Sequence, residues 1–531
     1  MRTKNSFINI AVSCTSYLVI MIGSFVTRQI FATTLGLEIV GIECAFLNII
    51  SALSIVELGL GVSIVYKLYK PIVEKDWEQI SVVLCFLKKC YAVISLTILA
   101  LGFISMYFAI SPINSTIPKI RLYEIFVLYI ADAVASYFYY YKRTMFIADQ
   151  KSYVNNIAHV IAQVIMFAFQ IIVLKITLSF ELYIICRIIS KLIENFIISY
   201  NFDRKYQNIN LKTKSRLPDI EKKDFFKNMK ALFLHKFSSL GTTVSSGLII
   251  TYLISLTENG IYGNYTLIVT AIFMTTNEIF SGISSSFGNY FSTNSLDKVF
   301  KKYNTIYFLN FLIYSFAATS FLCLATPFIN LWTGVGSAFN LSITISIVAY
   351  LYIFGMRQSI GMAKVSAGIY DQDKYLVVIG VIITFIFSWI LAKPFGISGI
   401  MAGNIIGVLA TSYWGQPYIV YRDVFNQKVK SYHYRFVLYL FLTVMYCTMT
   451  YFICDMLNEK ISITSTISFA ISSYIGISQT TVMLILKMII NFSVCLLLPN
   501  ILNIIIFYKT EEFKDLYGSV KSFLFKKKSK R

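Results

Sequence analysis

A chain of 531 residues that is 57% apolar, 16% aromatic and only 14% charged has too little polar surface for an ordinary water-soluble domain. Its formal net charge of +21 would suit a nucleic-acid binder, but the basic residues cluster in short loops between apolar runs, a distribution that reports membrane orientation instead. The nine cysteines are single and mostly inside apolar runs, without metal-like or paired-loop spacing, and read as small core hydrophobes.

Taken in order, the first apolar run follows Arg2 and Lys4 and continues to about Phe31. It is too long for a signal-peptide core and lacks a cleavage site, so it is a first membrane helix. At about 20 apolar residues per span, helices are expected near 8–32, 38–66, 81–108, 122–141, 154–174 and 182–200. A basic linker follows, then six more near 231–254, 261–290, 303–326, 340–366, 375–392 and 397–421, and two last spans near 436–454 and 479–507. The expected fold class is an all-α polytopic membrane protein of about 14 helices. Its parts are an N-lobe (1–200), a cytoplasmic linker (201–230), a C-lobe (231–422), two extra helices (423–508) and a basic tail (509–531). With both termini in the cytoplasm, 35 basic residues fall on the inner side and 5 in outer loops, a strong positive-inside bias.

Two motif pairs show that the halves are related. Glu57, three residues, Gly61, an aliphatic residue and Ser63, then Tyr69, returns as Glu278, Gly282, Ser284 and Tyr290. Lys142, Asp149-Gln150 and Tyr153 return as Lys364, Asp371-Gln372 and Tyr375. A displacement of six helices is even, so the halves are expected to be parallel repeats about an axis along the membrane normal. Both Asp-Gln-x-x-Tyr segments should be inner turns between helices 4 and 5 and between helices 10 and 11. Gly396, Gly399, Gly403 and Gly407 form a small-residue stripe suited to close helix packing.

A charge at the bilayer centre costs about 2.5–3.5 kcal/mol on insertion scales, so each asks for a partner or a wet cavity. Those inside the spans are Arg28, Glu43, Glu57, Asp132, Arg187, Lys191, Glu194, His235, Lys236, Glu278, Arg357, Lys364 and Lys487. Arg187, Lys191 and Glu194 share a helix face at i, i+4 and i+7, and Arg357 and Lys364 share another. Arg187, Arg357, Lys191, Lys364 and Arg28 are therefore candidates to line a cationic cavity. The competing reading makes Lys191–Glu194 an internal ion pair and lets Arg28 and Lys364 snorkel to the headgroups. Glu57, Glu278, Asp132 and Glu194 are candidates for ion coupling or for structural pairing with a base. There is no phosphate loop, no His-Glu-x-x-His and only three histidines. No enzyme activity, cofactor or metal is expected, and transport would draw on an ion gradient, the membrane potential or the solute's own gradient.

Four stretches together resemble the multidrug/oligosaccharidyl-lipid/polysaccharide exporter superfamily, specifically its bacterial polysaccharide flippase branch. They are Thr27-Arg28 with Thr34-Leu-Gly36, Leu53 to Gly61, Ala148 to Tyr153, and Pro394 to Gly399. The resemblance implies two six-helix lobes in a V, a central cavity and alternating access in a bacterial cytoplasmic membrane. The implied substrate is an undecaprenyl-pyrophosphate-linked oligosaccharide, turned from inner to outer leaflet for capsule, O-antigen or exopolysaccharide assembly, with polysaccharide-assembly proteins as partners. Guanidinium groups match pyrophosphate geometry. Three other functions stay open. A drug or metabolite antiporter of the superfamily would be expected to have an acidic cavity, a lipid II flippase shares the cationic one, and a polysaccharide polymerase would need a large basic outer loop.

Overall fold

A computed structural model of the chain describes residues 2–54, 60–213, 217–218, 241, 244–369, 372–463 and 478–525. Those residues are almost wholly helical and contain no strand. Among the described residues nine helices are long and apolar enough to cross a membrane, ten if one bent pair is a single span. The protein is thus an all-α, multi-pass membrane protein. Two compact units meet between Gly263 and Asn264.

The first unit contains α1 (Arg2–Leu35), α2 (Leu37–Leu53), α3 (Leu60–Glu74), α4 (Trp77–Ile110), α5 (Lys119–Tyr137), α6 (Tyr140–Ala148), α7 (Ser152–Thr177) and α8 (Phe180–Lys205). A short helix, α9 (Val244–Leu253), and the first turns of α10 (Leu256–Thr293) complete it. Close approach in this unit depends on glycine. A side chain at Gly41 would overlap the carbonyl of Leu256, and one at Gly260 the carbonyl of Leu37. Asn259 Nδ2 donates to the Gly41 carbonyl at 3.1 Å.

The second unit continues with α10, then α11 (Leu296–Thr333), α12 (Leu341–Gly355), α13 (Gln358–Ser366), α14 (Lys374–Ala410) and α15 (Ser412–Val420). After the π-helical turn Tyr421–Phe425 come α16 (Lys430–Ile463), α17 (Gln479–Phe507) and α18 (Glu511–Phe525). Aromatic stacking holds α11, α16 and α17 together. Phe311 and Tyr439 stack with centroids 4.3 Å apart, and Phe308 meets Phe507 at 4.9 Å.

Within α14 the chain reverses at Gly396, whose φ of 58° is open to glycine at little cost. The expected stripe then divides by role. Gly396 makes the turn, while side chains at Gly399, Gly403 and Gly407 would overlap Leu391, Ser388 and Thr384 of the preceding limb. Spans 11 and 12 are therefore an antiparallel pair packed backbone to backbone.

Among the described residues, the α5–α6 and α12–α13 spans are broken, and each of these breaks is closed by an asparagine from a neighbouring helix, as a membrane interior requires of freed carbonyls. Between α5 and α6, at a 41° bend, the Ala135 carbonyl accepts Asn195 Nδ2 at 2.8 Å. Between α12 and α13 the Gly355 and Met356 carbonyls accept Asn310 Nδ2 at 3.3 and 2.9 Å. Both short helices end alike. The Lys151 amide bonds back to Phe146 O with Gln150 at positive φ, and the Ile369 amide bonds back to Lys364 O with Gly368 at positive φ. This double closure of the last carbonyls is a common helix stop. The first Asp-Gln segment, Asp149–Gln150, forms such a turn. In the second, Asp371 lies outside the described residues, Gln372 is in the turn and Tyr375 is on α14.

Candidate functional site

In the first unit a buried chain of five charges runs across four helices. Arg28 on α1 donates Nη1 to Glu43 Oε2 on α2 at 2.6 Å, with side-chain exposures of 11% and 6%. Arg28 Nη2 also reaches Cys44 Sγ at 3.1 Å, and Gly263 leaves room beside it, since a Cβ there would crowd the guanidinium. Arg187 on α8 lies 4.0 Å from the other Glu43 oxygen and 3.1 Å from Asp132 Oδ2 on α5. Its guanidinium also sits over the Tyr129 ring, 5.6 Å from the centroid. Lys191, one turn on from Arg187, donates to the same Asp132 oxygen at 2.9 Å and to the Asp132 carbonyl at 3.1 Å.

The i, i+4 face expected of Arg187 and Lys191 is thus real, but it meets a carboxylate rather than standing open. Three cations face two carboxylates, leaving one positive charge. Asp132 Oδ1 is buried without a hydrogen-bond partner among the described residues. Glu194 does not pair with Lys191, contrary to that competing reading. Its carboxylate is 2.7 Å from Arg143 Nη1 and 3.2 Å from His159 Nδ1, because a further turn of α8 carries it toward α6 and α7. Arg28 is held by Glu43 and Cys44, against the competing reading in which it snorkels.

The second unit has its own smaller group, built on the α12–α13 break. Lys364 on α13 is buried against Asp373, Nζ to Oδ2 at 2.6 Å, with exposures of 10% and 1%, against the competing reading in which it snorkels. Gln416 on α15 donates Nε2 to the same Asp373 oxygen at 2.9 Å, while its Oε1 accepts Arg357 Nη2 at 3.1 Å. Arg357 occupies the break itself, its guanidinium centre 5.7 Å from the Phe354 ring centroid. It makes no ion pair among the described residues, and its Nε is buried without a hydrogen-bond acceptor.

Of the other candidates, Glu278 is exposed on α10, with no hydrogen bond or ion pair among the described residues. Glu57, His235 and Lys236 lie outside the described residues. Sequence reasoning recognised Glu43 as membrane-embedded without assigning it to the bases, and overlooked Asp373 and Gln416. Asp373 follows the repeated Asp-Gln motif by one residue and looked like part of an inner loop. Gln416 was signalled only as a polar residue in an apolar run.

Outside the spans, Arg121 grips Glu181 through two bonds, Nε to Oε1 at 2.6 Å and Nη2 to Oε2 at 3.1 Å. This fork, with help from Ser179, holds the Glu181 carboxyl down at about 2.

No protein-family profile and no curated protein match the sequence. Solved structures do. One is an inward-facing multidrug resistance MATE family transporter of the MOP superfamily, with 15% identity and a TM-score of 0.62 over 76% of this chain and 98% of that one. Another is the lipid II flippase MurJ in an inward closed conformation, with 14% identity and a TM-score of 0.63 over 94% of this chain and 99% of that one. A third is a MOP superfamily transporter from Pyrococcus furiosus described as having a binding pocket of reverse polarity, with 16% identity and a TM-score of 0.52 over 78% and 96%. At these identities the likeness is one of fold: the chain is a multi-pass membrane protein whose fold is like that of these MOP superfamily transporters and of MurJ.

Proposed function

We propose that the protein is a flippase that turns an undecaprenyl-pyrophosphate-linked oligosaccharide from the inner to the outer leaflet of a bacterial cell membrane by alternating access. The observation that carries this reading is Arg357, a guanidinium set in a helix break, in no ion pair among the described residues and with a buried donor unmet. A guanidinium inside a membrane asks for an anion, and its fork fits a pyrophosphate oxygen pair. Arg187, Lys191 and Arg28 carry one uncompensated positive charge in the first unit, and Lys364 shares Asp373 in the second. Within each unit, taken by itself, the carboxylates keep these bases charged and oriented.

The likeness to the lipid II flippase runs over 94% of this chain, against 76% and 78% for the two transporters described above. It thus extends over more of this chain, which favours a lipid-linked substrate over a soluble drug. Lipid II itself is the second reading supported by that likeness, and an ion-coupled drug antiporter is weakened by the surplus of bases.

The deciding experiment deletes the gene and identifies the lipid-linked intermediate that accumulates on the inner leaflet. Accumulation of a polysaccharide repeat unit, restored to export by the wild-type gene, is the expected result. Accumulation of lipid II points to the second reading, and normal export of both refutes the flippase proposal.

A further inference from the structure

Three thiols in the second unit face one another. Cys323 on α11, Cys454 on α16 and Cys495 on α17 are all buried, and their Sγ atoms lie within 4.8 Å of one another. A small hydrophobe explains one cysteine at a helix crossing. It does not explain three sulfurs turned together where alanine or serine would fill the space.

The surroundings fix this geometry. Asn491, one turn before Cys495, donates Nδ2 to the Cys323 carbonyl at 3.0 Å, and its Oδ1 accepts Asn458 Nδ2 at 3.1 Å, one turn after Cys454. Amide bonds therefore tie the three helices one turn away from the sulfurs. Cys495 Sγ is 3.9 Å from the Thr319 carbonyl. Among the described residues no histidine or carboxylate joins the group.

We propose that these cysteines bind one soft metal ion, Cu(I), in a trigonal sulfur site that fastens α16 and α17 to α11. Metal–sulfur bonds of about 2.3 Å around a trigonal centre put the sulfurs about 4.0 Å apart, so the trio needs only slight contraction. Thiolate ligands select soft ions such as Cu(I), whereas structural Zn(II) takes a fourth ligand. Binding releases thiol protons to the medium, so affinity rises with pH. The inference is independent of the transport reading, because it concerns groups that play no part in the basic sites.

The test titrates the full-length protein, reduced and kept anaerobic in detergent, with Cu(I) against a chromophoric Cu(I) chelator. Expected are one ion per chain, an ultraviolet sulfur-to-copper charge-transfer band and a first shell of three sulfurs by X-ray absorption. Cys323→Ser, Cys454→Ser and Cys495→Ser should each weaken binding at least about tenfold. Cys447→Ser, whose thiol contacts Thr319 Oγ1 at 3.6 Å outside the trio, should bind as the wild type does. Equal binding by a monodisperse triple serine variant overturns the proposal, as does wild-type protein that holds Zn(II) more tightly than Cu(I). If the serine variants aggregate, the wild-type absorption spectrum decides: a nitrogen or oxygen first shell overturns the site.

Discussion

Asp132→Asn tests whether the buried bases of the first unit depend on their carboxylates. The substitution keeps the shape of the side chain and removes the charge that lies 3.1 Å from Arg187 and 2.9 Å from Lys191. At an effective dielectric of about 20 each pair is worth roughly 5 kcal/mol before desolvation, about 10 kcal/mol for both. Most of that offsets the cost of taking three ions out of water, and breaking a buried pair by removing one partner costs about 3–5 kcal/mol. The Lys191 bond to the Asp132 carbonyl survives, so the lower part of that range is expected. Denaturant titration in detergent micelles measures it. Adding Lys191→Met to Asp132→Asn should recover at least about 1 kcal/mol, because one stranded cation is removed with its missing partner. An Asp132→Asn protein that unfolds within about 0.5 kcal/mol of wild type would refute the reasoning.

Arg357→Ala should behave in the opposite way. It forfeits one hydrogen bond, about 1 kcal/mol of stability, yet transport should fall at least about tenfold if the guanidinium meets an anion through bonds of about 1.5–3 kcal/mol each. Arg357→Lys should recover part of the loss, and full export by well-expressed Arg357→Ala would remove this residue from the site. Gly403→Val places a branched side chain into the Ser388 backbone and should cost more than about 2 kcal/mol, read as a lowered thermal unfolding temperature; an unchanged temperature would mean the limbs are not in contact. Because Glu181 is held at about 2 against an ordinary 4.5, its contribution is full above pH 4.5 and fades as the pH falls toward 2. Glu181→Gln should flatten the acid-unfolding profile in that window by less than about 1 kcal/mol, the pair being partly exposed, whereas an unchanged profile would show that the fork does not form. Reporter fusions after Tyr200 and after Arg531 should both read cytoplasmic, and an outside signal from either would overturn the 35 to 5 reading of the basic residues.

The spans were legible because membrane burial acts on every residue of a helix at once. Long apolar runs, their lengths and the charges flanking them follow from composition alone, and predicted helices such as 81–108 and 154–174 lie inside α4 and α7. The glycine stripe was likewise readable as a packing surface, since spacing on a helix fixes which residues share a face. What lies opposite a face is not encoded locally. That Arg187 meets Asp132 and not open space, that Glu194 turns to Arg143 and His159, and that Lys364 finds Asp373 depend on which helices become neighbours. The breaks that set Arg357 in place also escaped the sequence. Apolar residues continue straight through Met356, and only Asn310 on another helix makes an interrupted backbone tolerable there. Cys323, Cys454 and Cys495, on three separate helices, could be read singly only as small hydrophobes; tertiary packing alone brings their sulfurs together.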